Sequence, residues 1–170
     1  ELTTAMHEVI GHGSGRMSPD VAEPPHKLLG EQYSAIEEAR ADLVALYFLP
    51  DANVVELGIV SSDDHDAIVA AEYEYYVRNA LVQLRRVREG TQIEEDHMRN
   101  RQLIVNWLQA HTTAVEVRKR DGNTYFVMVD AAAFRDGVGR LLAEVQRIKG
   151  EGDVAAAREL VETYGVHFDP

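Results

Sequence analysis

Residues 7–12 read His-Glu-Val-Ile-Gly-His, two imidazoles and a carboxylate within six positions. Two histidines on one helix face, with a glutamate beside the first, are the tools of zinc-assisted hydrolysis. The imidazoles hold the ion, and the glutamate moves the proton of an attacking water. The familiar spacing is i and i+4, but here the second histidine stands at i+5. On a regular helix five residues turn about 500°, which leaves the two rings about 140° apart. They converge only if the helix absorbs one extra residue as a π-bulge, a distortion frequent at functional sites. Gly11 sits where that distortion demands the most backbone freedom.

A catalytic zinc takes three protein ligands and keeps a fourth position for water. The chain has no cysteine, so the third ligand is expected to be a carboxylate. The best candidates lie in Ile36-Glu37-Glu38-Ala39-Arg40-Ala41-Asp42. Glu38 and Asp42 are i and i+4, on one helical face. One of them can bind metal while the other accepts a hydrogen bond from a ligand imidazole and fixes its tautomer. Glu8 can point at the open coordination position, where it would take a proton from water and pass it to a leaving amine.

The elements that must position these groups are mostly helical. Residues 3–12 form the first helix, and Gly11, Gly13 and Gly15 end it, since each glycine costs about 1 kcal/mol inside a helix. Residues 16–29, with Pro19, Pro24 and Pro25, read as a loop. A second helix is expected over 30–49, with Ile36, Arg40, Leu43 and Tyr47 on one stripe. Ser61-Ser62-Asp63-Asp64 signals the start of a third, running to about 89 on Val69, Tyr73, Tyr76, Ala80, Leu84 and Val87. A fourth covers 93–110, with Ile93, His97, Arg101, Ile104 and Leu108 on its stripe. Near 115–129 the period changes to β around Asp121-Gly122-Asn123, a hairpin signal. Two further helices, 131–149 and 153–164, flank Gly150-Glu151-Gly152. The expected fold is mainly α with one small β-hairpin lying on the helices, in a single domain over 1–170.

Bulk properties narrow the partners. Lys+Arg number 17 against 29 Asp+Glu, a formal charge of −12, which argues against nucleic acid or an anionic membrane as main partner. No apolar run is long enough to span a bilayer. A cytoplasmic location is therefore the default. The chain begins at Glu1 rather than Met, with only six residues ahead of the motif, and is expected to be a piece of a longer protein. His26, His65, His111 and His167 read as surface residues. Trp107, Tyr73, Tyr75 and Tyr76 read as core or cleft wall.

These residues resemble the dipeptidyl peptidase III family of zinc metallopeptidases. That family carries a five-spaced HExxGH motif followed by EExRA(E/D), matched here at His7–His12 and at Glu37-Glu38-Ala39-Arg40-Ala41-Asp42. Asp96-His97-Met98-Arg99-Asn100-Arg101 looks like the family's HMxxR segment. The resemblance implies that His7, His12 and Glu38 bind one zinc per chain and that Glu8 is the general base and acid. It implies that Asp42 supports a ligand imidazole, with Glu37 as a second supporting carboxylate. It also implies that His97 stabilises charge near the scissile carbonyl and that Arg101 holds substrate or structure. Without it, His97 on an apolar stripe would read as a packed core histidine. Asp42 is one methylene shorter than the Glu the family often has there. Family members have two lobes, so the resemblance makes this chain the C-terminal, zinc-bearing lobe and puts the other cleft wall upstream.

The function expected is that of a zinc peptidase, with a peptide as substrate and release of dipeptides from N-termini implied by the resemblance alone. The alternatives are a zinc hydrolase of the same fold acting on another amide or ester, and a non-catalytic helical domain that binds a partner. An interaction module has no need of the base at Glu8.

Overall fold

The computed structural model describes residues 2–87 and 90–168. Helix α1 (Leu2–Met6) passes without a break into a π-helical turn at His7–Gly11. Then come α2 (Pro25–Leu29), a 3₁₀ turn at Gly30–Gln32 and α3 (Tyr33–Phe48). Helices α4 (Asn53–Glu56) and α5 (His65–Val82) lead through a 3₁₀ turn at Gln83–Arg86 to α6 (Asp96–His111). Strands β1 (Val115–Arg120) and β2 (Asn123–Met128) follow, then α7 (Ala131–Glu151), α8 (Val154–Val161) and a second π-helical turn at Glu162–Val166. The fold is mainly α with one two-stranded antiparallel sheet, as the sequence pattern leads one to expect.

Helix α3 is the axis of the molecule. It packs against α6, α7 and the first π-turn, and ten of its sixteen residues are buried. A helix buried on nearly every side has no single apolar stripe, so the Ile36–Leu43–Tyr47 face is only part of what it buries. Its small residues Ala35, Ala39, Ala41 and Ala45 let neighbours approach closely, while Ile36, Leu43 and Leu46 fill the core with Leu103, Ile104, Leu108, Phe134 and Leu141. Phe126 and Met128 of β2 pack onto that core, which gives the hairpin the support it lacks alone.

The hairpin pairs Val115 with Met128 and Arg120 with Asn123. Asp121 and Gly122 both have positive φ, 51° and 75°, the two left-handed positions of a two-residue turn. Helix α6 begins at Asp96 rather than 93, because the Glu95 side chain accepts from the His97 N–H. Helix α7 runs through Gly150 and stops at Gly152, whose φ of 69° and ψ of 33° form a left-handed cap. At α5 the Ser61–Asp64 cluster makes a turn of its own, Ser61 Oγ donating to Asp64 at 2.8 Å, and the helix follows at His65. That helix is shorter than the expected run to about 89: it ends at Val82, tightens into the 3₁₀ turn at Gln83–Arg86, and Val87 is already extended with φ −73° and ψ 117°, while 89 itself lies outside the described residues. The one-turn helices α2 and α4 fall in stretches that read as connections, since a single turn is too short to show a period.

Candidate metal centre

The extra residue between the histidines is absorbed where the sequence requires it. His7–Gly11 is a π-turn, and the His12 N–H donates to the His7 carbonyl at 3.0 Å. The two imidazoles thereby meet edge to face with centroids 4.7 Å apart. Gly11 is needed for position as well as for flexibility. A Cβ there would lie 2.9 Å from both Cα and Cβ of Ala41, so the π-turn rests directly on the α3 backbone.

Helix α3 brings up the acids. His7 Nε2 lies 3.2 Å from Glu38 Oε2, and His12 Nε2 lies 3.8 Å from Glu38 Oε1. Ligand atoms of His7, His12 and Glu38 all fall within 4.8 Å of one another. The far side of each ring faces another carboxylate: His7 Nδ1 is 2.7 Å from Asp42 Oδ1, and His12 Nδ1 is 3.2 Å from Glu37 Oε1. An ionised carboxylate only accepts, so each Nδ1 carries the ring proton. In the neutral rings, the form that binds a metal, both Nε2 atoms are then bare lone pairs. They stand 3.1 Å apart, and no hydrogen bond can join them. Glu38 Oε2 is buried without a hydrogen-bond partner. Three acceptors converge and Glu38 Oε2 lacks a hydrogen bond, an arrangement that is costly unless a cation sits there. Two imidazole nitrogens and one carboxylate are a donor set that fits zinc with an open fourth position.

Asp42 and Glu37 are themselves held, and differently. Asp42 Oδ2 accepts from the Tyr76 hydroxyl at 2.7 Å. Burial pushes that phenol well above its ordinary pKa and the Asp42 charge adds to the shift, so it remains a neutral donor. Glu37 accepts from Arg40 Nη2 at 2.8 Å and Nε at 3.1 Å, and Lys149 Nζ of α7 lies 2.6 Å from its Oε2. Burial alone would raise the Glu37 carboxyl, but the Arg40 and Lys149 hydrogen bonds outweigh it and hold the group at about 2. Arg40, 1% exposed, also donates to the Gly11 carbonyl, which ties the π-turn to α3. The Asp42 hydrogen bond raises His7 above its ordinary pKa against the opposing effect of burial, and the charges of Asp42, Glu38 and Glu8 act in the same direction. This is a cluster that attracts positive charge.

The cluster opens on a pocket of about 270 Å³ lined by His7, Glu8, Asp42, Tyr75, His97 and Arg101, among others. Glu8 therefore borders the same space as the His7 imidazole. His97 is not a core histidine: its side chain is 65% exposed in the first turn of α6, with Nδ1 3.2 Å from Glu38 Oε2. Arg101 lines the pocket too, but its guanidinium is engaged, with Nη1 donating to Gln83 Oε1 at 3.0 Å and its plane over the Tyr76 ring at 5.3 Å. Tyr75 is an exposed pocket wall, whereas Tyr73 and Tyr76 are buried and Trp107 is partly buried against the core. His26, His111 and His167 are exposed. His65 departs from expectation: it is half-buried, because its Nε2 bonds the Leu49 carbonyl just past the end of α3. Tyr76 and Lys149 are the site residues that sequence patterning does not single out. Tyr76 reads as packing, and Lys149 is an unremarkable cation near a helix end.

Comparisons with known proteins converge. Over 99% of its length the chain is similar to dipeptidyl peptidase 3 of Mus musculus and of Homo sapiens, each 25% identical. Among solved structures it is similar to DPP III from Caldithrix abyssi, with 28% identity and a TM-score of 0.74 over 99% of this chain. It is also similar to dipeptidyl-peptidase III from Corallococcus sp. strain EGB, with 26% identity and a TM-score of 0.69 over 97%. The chain spans 28% of the length of the mouse and human relatives and 30% of the Caldithrix protein. The profile of peptidase family M49 matches residues 20–167, a stretch that holds Glu37, Glu38, Asp42, His97 and Arg101 and begins after His12. With that profile matched over most of its residues, the chain belongs to peptidase family M49.

Proposed function

We propose that this chain carries the metal centre of a zinc-dependent peptidase that releases dipeptides from peptide N-termini. The observation that carries the reading is the convergence of three unpaired acceptors, two Nε2 atoms and Glu38 Oε2, beside a pocket that Glu8 also lines. His7, His12 and Glu38 would hold one zinc ion. A bound zinc supplies Lewis-acid polarisation and a nucleophile from water near neutral pH. Glu8 takes the proton of the attacking water and hands it to the leaving amine. His97, exposed at the rim, donates toward the carbonyl oxygen as charge develops there. Arg101 and Tyr75 border the groove for the peptide. A pocket of about 270 Å³ is below the usual size of a complete ligand site. The opposite wall is assigned to a second lobe of the same protein, in keeping with relatives more than three times as long. The dipeptide specificity rests on the similar proteins, whose names state it.

The test is Glu8→Ala in the full-length protein, with products identified by mass spectrometry. The expected result is one zinc retained and peptide hydrolysis lowered by about 10²–10⁴-fold, with dipeptides as the wild-type product. Undiminished hydrolysis in the variant, or products other than N-terminal dipeptides, would contradict the reading.

A further inference from the structure

We propose that Tyr76 is a positioning residue of the metal centre, acting through Asp42 on His7. The inference rests on the reading above that His7 is a metal ligand. Asp42 uses its two oxygens on two partners, each at 2.7 Å: Oδ1 faces His7 Nδ1, and Oδ2 accepts the Tyr76 hydroxyl. A carboxylate held at one oxygen can pivot about that contact. Held at both, it fixes the plane and direction of the imidazole it supports. Asp42 borders the pocket, so without the phenol its second oxygen would turn to water.

The phenol is itself held from behind. The Arg101 guanidinium lies over its ring, Arg101 is tied to Gln83, and Gln83 Nε2 donates to the Met98 carbonyl at 3.0 Å. A continuous line therefore runs from the backbone of α6 through Gln83, Arg101, Tyr76 and Asp42 to His7. Packing alone does not explain the hydroxyl, since phenylalanine would fill the same space. Tyr73, one turn earlier on α5, shows the ordinary use of such a group: its hydroxyl donates to the Leu46 carbonyl, a backbone group outside the metal cluster. The Tyr76 hydroxyl goes instead to the carboxylate that holds a ligand. Groups that orient metal-bound histidines typically contribute 10–100-fold in metal affinity.

The test is zinc affinity, measured by competition with a chromophoric chelator, alongside melting of the metal-free proteins. Tyr76→Phe is expected to weaken zinc binding by about 10-fold. Tyr73→Phe, which also deletes one buried hydroxyl, is expected to lower melting without changing zinc affinity. In an Asp42→Ala background, Tyr76→Phe should cause no further loss of affinity, because its route to His7 is gone. Wild-type affinity in Tyr76→Phe, or an equal loss in the Asp42→Ala background, would overturn the proposal. His7→Ala separates the two levels: it should abolish binding, and zinc retained there would overturn the ligand assignment itself.

Discussion

The imidazoles of His7 and His12, the proposed ligands, are backed by carboxylates in different surroundings. Asp42 faces a neutral phenol, while Glu37 faces two cations, Arg40 and Lys149. Removing either kind of acid should have a different signature. Glu37→Ala leaves Arg40 and Lys149 as buried charges without their partner, which costs about 3–5 kcal/mol. Urea denaturation of the metal-free protein should show that loss. At a pH above the raised His7 titration, where that ring is neutral, Glu38→Ala should do the reverse: it removes a buried carboxylate oxygen that has no hydrogen-bond partner, and so stabilises the metal-free protein by about 1 kcal/mol while abolishing zinc binding. An unchanged or lowered denaturation midpoint in metal-free Glu38→Ala would contradict the view that this group is kept for a cation. At this scale the sequence was informative where the partners are local. Spacing brings out His7, His12 and the Glu38–Asp42 pair, and the family resemblance alone says which acid of that pair is the expected ligand. The Tyr76 and Lys149 contacts do not, because each depends on the angle at which a distant helix crosses α3, and no local pattern encodes that angle.

Among the elements, the π-turn is the one that brings the His7 and His12 rings together. Gly11→Ala places a methyl against the Ala41 backbone at 2.9 Å, where neither helix can yield cheaply. A loss of about 1–3 kcal/mol is expected, together with weakened zinc binding as the two imidazoles separate. Thermal melting and zinc titration check the two parts independently. The junction of α7 and α8 offers a second test. Asp153 caps α8 by accepting from the Ala156 N–H at 3.0 Å and also pairs with Arg147, which bonds Glu144 and Glu151 as well. Asp153→Ala should cost about 1 kcal/mol. The Ala156 backbone bond first, then the Arg147 pairing, lowers the Asp153 carboxyl, and its hydrogen bond to Arg147 lowers Glu144. A depressed carboxyl stabilises the fold above the ordinary carboxylate range and loses that contribution as pH falls through its folded-state value. Acid titration of stability should therefore be shallower in Asp153→Ala. The long helices and the hairpin are legible in sequence because caps, glycines and periodicity agree there. The second π-turn is not: it seats Gly165 on the Arg99 carbonyl, 3.0 Å from where a Cβ would sit, a contact between residues distant in sequence.

For the molecule as a whole, the centre joins the π-turn to α3 and both to α6 and α7, so zinc should stabilise the fold rather than one loop. Zinc at 100 times its dissociation constant adds about 2.7 kcal/mol, a rise in melting temperature of about 5–10 °C for a chain of this size. A chelator should remove that increment, and calorimetry with and without it measures the effect. No helix among the described residues is long and apolar enough to cross a membrane. Val9, Leu57 and Ile59 are well exposed on the outer side of the π-turn and next to α4, a face that sequence patterning left unmarked because each residue lies in a short or irregular segment. The overall class was legible because the apolar periods of the long helices dominate. The shape of the pocket was not, since its lining comes from α1, the π-turn, α3, α5 and α6, whose mutual angles no local pattern encodes. The most direct measurement is zinc K-edge X-ray absorption on the protein loaded with one equivalent of zinc. It should show one bound ion with two imidazoles and only nitrogen and oxygen donors, and one imidazole fewer if His12→Ala still holds the metal. A shell without imidazole, or no retained zinc, would contradict the assignment of His7, His12 and Glu38.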